Sequence, residues 1–193
     1  MPALRLITGL GNPGQQYADT RHNAGLWFLE ALADQLGATF TKQAKFKARI
    51  AKAQIGDQEL VLLWPEVFMN VSGQSVAAYA QFFNVPANQI LIAHDELDFV
   101  PGRTQFKSGG GHGGHNGLRD IAPQTGSDFH RLRIGIGHPG HKSQVSAHVL
   151  SKPSAIDRAL IERTIETVLK HTAEIAQGHF DPAKQALGNL KSD

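Results

Sequence analysis

Leu4-Arg5-Leu6-Ile7-Thr8-Gly9-Leu10-Gly11-Asn12-Pro13-Gly14 is the stretch that decides the fold. Leu4 to Leu10 is short, apolar and β-branched at its centre, the pattern of a strand buried on both faces, and the Gly-Asn-Pro-Gly after it must turn. The spacing Gly9-x-Gly11-x-x-Gly14 is that of a dinucleotide-binding loop, which needs a helix at once and an acid about twenty residues on. Neither follows: residues 15 to 21 carry no apolar stripe, and the region near Glu30 is itself helical in pattern. A tight strand-exit turn is the simpler reading.

Outward from that strand, Ala24, Trp27, Phe28, Ala31, Leu32 and Leu36 recur at helical spacing before Gly37, a stop signal. Phe46 to Ile50 alternates, Leu60 to Trp64 is continuously apolar up to Pro65, and Gly56-Asp57 between them predicts a hairpin. Val76, Ala77, Tyr79, Ala80 and Phe83 predict a second helix, capped by Asn70 or Ser72. Ile90 to Ala93 reads as a buried strand opening onto His94-Asp95-Glu96, and Leu132 to Gly137 as another strand. Residues 108 to 117, with glycine at six of ten positions, read as a loop. Ile161, Ile165, Val168, Thr172 and Ile175 form one stripe, predicting a single long docking helix. Helices alternating with buried strands predict an α/β fold. It is a single domain over 1–193, with a central mostly parallel mixed sheet covered by helices on both faces.

The 193 residues, 41% hydrophobic and 19% charged, suffice for one globular core, and the absence of cysteine excludes a thiol nucleophile, disulfides and thiolate metal sites. No run approaches the 18 apolar residues of a membrane span, and the start has no signal-peptide pattern, so a cytoplasmic location is expected. The net charge of +2 hides segregation. Lys42, Lys45, Lys47, Arg49 and Lys52 stand without an acid, whereas 53 to 102 holds Asp57, Glu59, Glu66, Asp95, Glu96 and Asp98 without a Lys or Arg. Basic residues return from Arg103 to Lys152, with six histidines among them. Such segregation suits a polyanionic partner, or a solvated face.

Strand exits on one edge of an α/β sheet commonly build the active site. Here they deliver Asn12, Phe68-Met69-Asn70 and Asp95, while His22 opens the first helix and the glycine loop adds His115 and Asn116. An imidazole, a carboxylate and several amides equip a site for general-base attack by water on a carbonyl, with amide donors for the oxyanion. A divalent-metal hydrolase built from His112, His115 and His94-Asp95-Glu96 is the alternative, although glycine on both sides leaves the loop imidazoles poorly held. No G-x-S-x-G, P-loop or H-E-x-x-H motif occurs.

Six blocks stand in order: Gly9 to Gly14 with Tyr17, Thr20 to Gly25, Phe68 to Gly73, His94 to Asp98, Gly113 to Gly117, and Arg131 to Gly137. In order and spacing they resemble bacterial peptidyl-tRNA hydrolase over nearly the whole chain. The resemblance implies cleavage of the ester between a peptide and the 3′-terminal ribose of tRNA, with no metal, no cofactor, no membrane and a monomeric enzyme. It implies His22 as general base, Asp95 as its partner, and Asn12, Asn70 and Asn116 as substrate-holding amides. Met69 and His115 join them in contacting substrate, Tyr17 and Phe68 line the tRNA 3′ end, and Lys107 and Arg133 hold phosphate. Gln105 departs from a basic position of the family, which shifts phosphate contact toward neighbours such as Arg103. The basic segments would then face tRNA, and the acidic stretch, Asp95 apart, would face away.

Overall fold

The apolar stretch at the start forms the middle of the sheet. In the computed structural model, which describes residues 2–190, β1 (Leu6–Gly9) is buried along its length. It pairs in parallel with β4 (Gln58–Pro65) on one side and β5 (Ile90–Glu96) on the other. β5 pairs in parallel with β7 (His130–Gly135), so the four central strands run the same way. Antiparallel strands close both edges: β3 (Ala48–Ile55) and β2 (Thr41–Gln43) beyond β4, and β6 (Thr104–Ser108) beyond β7. The order β2-β3-β4-β1-β5-β7-β6 is the mixed sheet that the sequence predicts.

Period-2 alternation divides the core. Ile7, Leu91 and Ala93 face α1 (Ala24–Leu36) and the C-terminal helices, whereas Leu6, Ile90 and Ile92 face α2 (Val76–Phe82) and α3 (Asn116–Thr125). α1 ends as its sequence requires, with Gly37 left-handed at φ 63° and Ala38 N donating to Ala33 O at 2.9 Å. The hairpin predicted around Gly56-Asp57 is present, with Ile55 opposite Gln58.

Several expectations need correction. The long C-terminal helix is two, α5 (Ala155–Leu169) and α6 (Thr172–Ala176), although Ile161, Ile165, Val168 and Ile175 are buried as the stripe requires. The break has a tertiary cause. Gln35 of α1 donates its Nε2 to the Leu169 carbonyl at 2.7 Å, the Thr172 hydroxyl sits 2.8 Å from the same oxygen, and the backbone tightens to i→i−3 bonds at Lys170 and His171. Asn70 and Ser72 do not cap α2; they lie in a 3-10 stretch, Met69–Gln74, and Ser75 precedes the helix without a side-chain cap bond. Asn116 and Gly117 belong to α3, so the loop is shorter than predicted. β6, α3, α4 (Val145–Val149) and α7 (Asp181–Gly188) were not foreseen. Among the described residues no helix is long and apolar enough to cross a membrane. The ends of the expected domain, Met1 and residues 191–193, lie outside the described residues.

One contact sets where α1 meets the sheet. A Cβ on Gly9 would collide with the Gly25 carbonyl, and one on Gly25 with the Ala93 carbonyl and, at 2.7 Å, the Leu10 nitrogen. The helix start therefore rests directly on the backbones of β1 and β5. Because those neighbours are backbone, Gly25→Ala is expected to cost about 3 kcal/mol, the upper range for overpacking, read as a lowered urea midpoint with an unchanged slope. A midpoint equal to wild type would show that α1 can back away freely.

Candidate active site

The turn after β1 is fastened before it carries chemistry. Asn12 N donates to Asn23 Oδ1 at 2.8 Å, and Asn23 Nδ2 donates back to Asn12 O at 3.0 Å. Met69 N donates to Asn12 Oδ1 at 2.7 Å, which fixes the amide oxygen on the backbone and leaves Asn12 Nδ2 to face the cleft. His22 sits in the 3-10 turn Arg21–Asn23 that leads into α1, so the glycine contact at Gly25 also positions its ring.

Strand phase brings the carboxylate to that ring. With Leu91 and Ala93 facing α1, Asp95 falls on the same side, and its Oδ2 lies 2.9 Å from His22 Nδ1. Its other oxygen, Oδ1, lies 2.8 Å from His115 Nε2. His115 also caps α3: its Nδ1 accepts from Gly117 N at 3.1 Å and from Leu118 N at 3.3 Å. A nitrogen that accepts carries no proton, so His115 meets Asp95 by donating through Nε2. His22 likewise spends Nδ1–H on Asp95, which leaves Nε2 as a free base in the cleft.

Electrostatics follow from these bonds. Burial pulls the His22 pKa down, but the charge of Asp95 and its hydrogen bond outweigh that pull, and the net shift is upward from 6.5. Burial would raise the Asp95 carboxyl; His22 and His115 instead hold it well below the usual carboxylate range. His94, on the opposite face, donates Nδ1–H to the Asp95 carbonyl at 2.9 Å, and burial pushes its pKa down to about 3.

The cleft measures about 770 Å³. Asn12, Tyr17, His22, Phe68, Met69, Asn70, Asp95, His115 and Asn116, all candidates from sequence, line it. Tyr17 and Phe68 meet edge to face at 6.2 Å, and Phe68 is 54% exposed. Met69 has its side chain buried and works chiefly through its backbone. His115 serves the carboxylate and the helix before any substrate. Lys107 and Arg133 are not brought into the cleft; they lie on the β6–β7 ladder beyond the glycine loop. Gln105, opposite Arg133, turns its amide oxygen toward Arg103, 3.2 Å from Nε and 3.1 Å from Nη2.

The charge map needs two corrections. Glu96 and Asp98 line the cleft together with Asp95, so the acidic stretch does not simply face away. The basic run from Lys42 to Lys52 lies on β2, β3 and the 3-10 turn between them, toward the sheet edge opposite Lys107 and Arg133. Sequence reasoning missed the far wall, which includes Lys142, Val145 and Leu150; α4 has only five residues, too few for a periodic signal.

Neither alternative finds support. The glycines after β1 lead into 3-10 turns, and α1 starts ten residues after Gly14. Among the described residues the one group that could hold a metal is His22, Asp95 and His115, with ligand atoms within 4.8 Å of one another, not the set built on His112. Each of the three is already hydrogen-bonded within the group, so an ion would have to displace both bridging protons.

The family model described as peptidyl-tRNA hydrolase matches residues 6–193. The peptidyl-tRNA hydrolase of Alcanivorax borkumensis is 51% identical over 191 residues, covering 98% of each chain, and that of Acinetobacter baylyi is 50% identical, covering 99% of each. The crystal structure of peptidyl-tRNA hydrolase from Acinetobacter baumannii superposes with a TM-score of 0.95 at 48% identity, covering 99% of this chain and 97% of that one. With its sequence, its fold and its length matched together, this chain belongs to the peptidyl-tRNA hydrolase family.

Proposed function

We propose that the cleft hydrolyses the ester joining a peptide's C-terminal carboxyl to the 3′-terminal ribose of tRNA, by general-base attack of water. The observation that carries this reading is the buried Asp95 carboxylate between two imidazoles, with His22 Nε2 left open beside Asn12 Nδ2. Water gives its proton to His22 Nε2 as its oxygen bonds to the ester carbonyl carbon. Asn12 Nδ2 donates to the carbonyl oxygen as charge develops there. The tetrahedral species collapses, the C–O bond to ribose breaks, and the imidazolium returns the proton to the departing ribose oxygen. Asp95 stabilises the imidazolium meanwhile.

Tyr17 and Phe68 offer faces on which a terminal base stacks, and Asn70 and Asn116 offer amides at the rim. Lys107 and Arg133 take phosphate outside the cleft, because an ester deep in the cleft leaves the acceptor stem lying beyond its mouth. One chain supplies every group in this scheme, which supports a monomer, and a substrate made during translation supports a cytoplasmic enzyme. The decisive experiment incubates the protein with N-acetyl-aminoacyl-tRNA; free tRNA and the acylated amino acid should appear, with or without chelator.

Three outcomes test the roles. His22→Ala should lower kcat by roughly 10²- to 10⁴-fold while tRNA binding stays nearly intact, and retention of more than about a tenth of kcat would remove His22 from the role. The raised His22 pKa means that the basic form accumulates only above the ordinary value of 6.5, so kcat/KM should rise with pH through a limb on that side. Asp95→Asn removes the charge that holds the pKa up, leaving burial to pull it down; the limb should move to lower pH and kcat should fall at least about tenfold. Glu96→Gln should do neither, and the reverse pattern would move the pairing to Glu96. Lys107→Ala and Arg133→Ala should mainly raise KM, each flattening the salt dependence by roughly one charge. Unchanged slopes in both would put the phosphates elsewhere.

A further inference from the structure

Arg131 is a buried charge that the mechanism leaves unused. It is 4% exposed, and none of the ion pairs among the described residues includes it. Its Nη1 donates to the Gly111 carbonyl at 3.0 Å, while its Nε has no partner. Lys107 stands directly opposite on β6, and Arg133 lies two residues along the same strand face. The two cationic heads crowd Gly110: a Cβ there would lie 2.9 Å from both Lys107 Nζ and Arg131 Nη2. Like charges opposed across strands repel, and a buried charge without a counter-charge is costly. Burial and Arg133 both hold the guanidinium below its usual pKa, with Glu96 alone acting the other way.

The loop that Arg131 grips ends at the carboxylate's second partner. Four residues after Gly111, His115 N donates to His112 O at 3.0 Å and His115 Nε2 meets Asp95 Oδ1. A planar guanidinium can hold the Gly111 carbonyl with one nitrogen and an anion with the others, which an ammonium cannot do. Without an anion, repulsion from Lys107 works against that grip; with one, the three cations are paired and the grip tightens.

We propose that Arg131 is a positioning residue that couples phosphate bound along Lys107, Arg131 and Arg133 to the glycine loop, and through His115 to Asp95. The proposal rests on the phosphate reading of Lys107 and Arg133 given above. Binding energy gained far from the ester is thereby used to set the geometry at the ester.

Arg131→Lys keeps the charge and removes the fork. On N-acetyl-aminoacyl-tRNA it should lower kcat by roughly tenfold to a hundredfold, the scale of a small misplacement at the reacting centre, with KM changed by less than about twofold. A raised KM with kcat intact would make Arg131 an ordinary phosphate ligand and overturn the proposal. A second measurement uses the wild-type chain, so it stands even where the variant fails to fold. Inorganic pyrophosphate is titrated while the ring nitrogens of His115 and the backbone amides of Lys107 and Arg133 are followed by NMR. All should move together. Movement of the two amides with His115 unmoved would sink the coupling and leave the phosphate reading standing, whereas no movement at Lys107 or Arg133 would remove both.

Discussion

A carboxylate kept ionised inside a protein needs donors close enough to replace the water it has lost. Asp95, 4% exposed, has two, and the surrounding structure is arranged to hold them. His22 is placed by the start of α1, which glycine lets press onto β1 and β5. His115 is placed by the start of α3, whose first amides take its Nδ1. The division is chemically useful. With Nδ1 taken by those amides, His115 donates Nε2–H to one Asp95 oxygen, and the other oxygen is left to favour the protonated form of His22. His94 completes the arrangement by tying the Asp95 carbonyl from the other face, and its depressed pKa of about 3 keeps a positive charge away from that face.

The central strands were legible because their signals are local. Short apolar runs gave β1, β4 and β5, alternation gave β7, and a Gly-Asp pair between two runs gave the β3–β4 hairpin. Strand alternation only sets Asp95 on the opposite side from His94 and Glu96; it was the family resemblance that named Asp95 as the residue that meets His22, a partner 73 positions away. What was not legible depends on contacts between distant segments. The stripe from Ile161 to Ile175 is continuous in sequence, and only a glutamine from α1 at the Leu169 carbonyl divides it. Gly9 and Gly25 read as a strand-exit and a helix residue, yet their value lies in letting the start of α1 rest on the backbones of β1, Leu10 and β5. Asp181-Pro182 was a usable helix-start signal for α7. β6, with five residues, and α4, with five, are too short for periodicity to register.

His115 shows how a site residue can carry structural duties that its sequence surroundings do not reveal. Its glycine-rich surroundings predict a poorly held imidazole. In the folded chain both ring nitrogens are engaged, one with α3 and one with Asp95, so the ring is among the better fixed groups of the cleft. Glycine supplies the loop's bends, with Gly109, Gly110, Gly113 and Gly114 all at positive φ, and the histidine supplies its anchor.

Charge at the cleft explains why the cations proposed to take phosphate belong outside it. Glu96 and Asp98 join Asp95 at the mouth, so a phosphate entering there would meet three acidic side chains with Lys142 as the cation of the far wall. An ester, a ribose or a peptide amide carries no net charge and meets no such penalty. Lys107, Arg131 and Arg133 gather instead on the β6–β7 ladder past the glycine loop, with no carboxylate paired to any of them among the described residues. A ligand that is polyanionic along its stem and uncharged at its reactive tip is therefore oriented by the field before any contact forms: stem to the ladder, tip to the cleft.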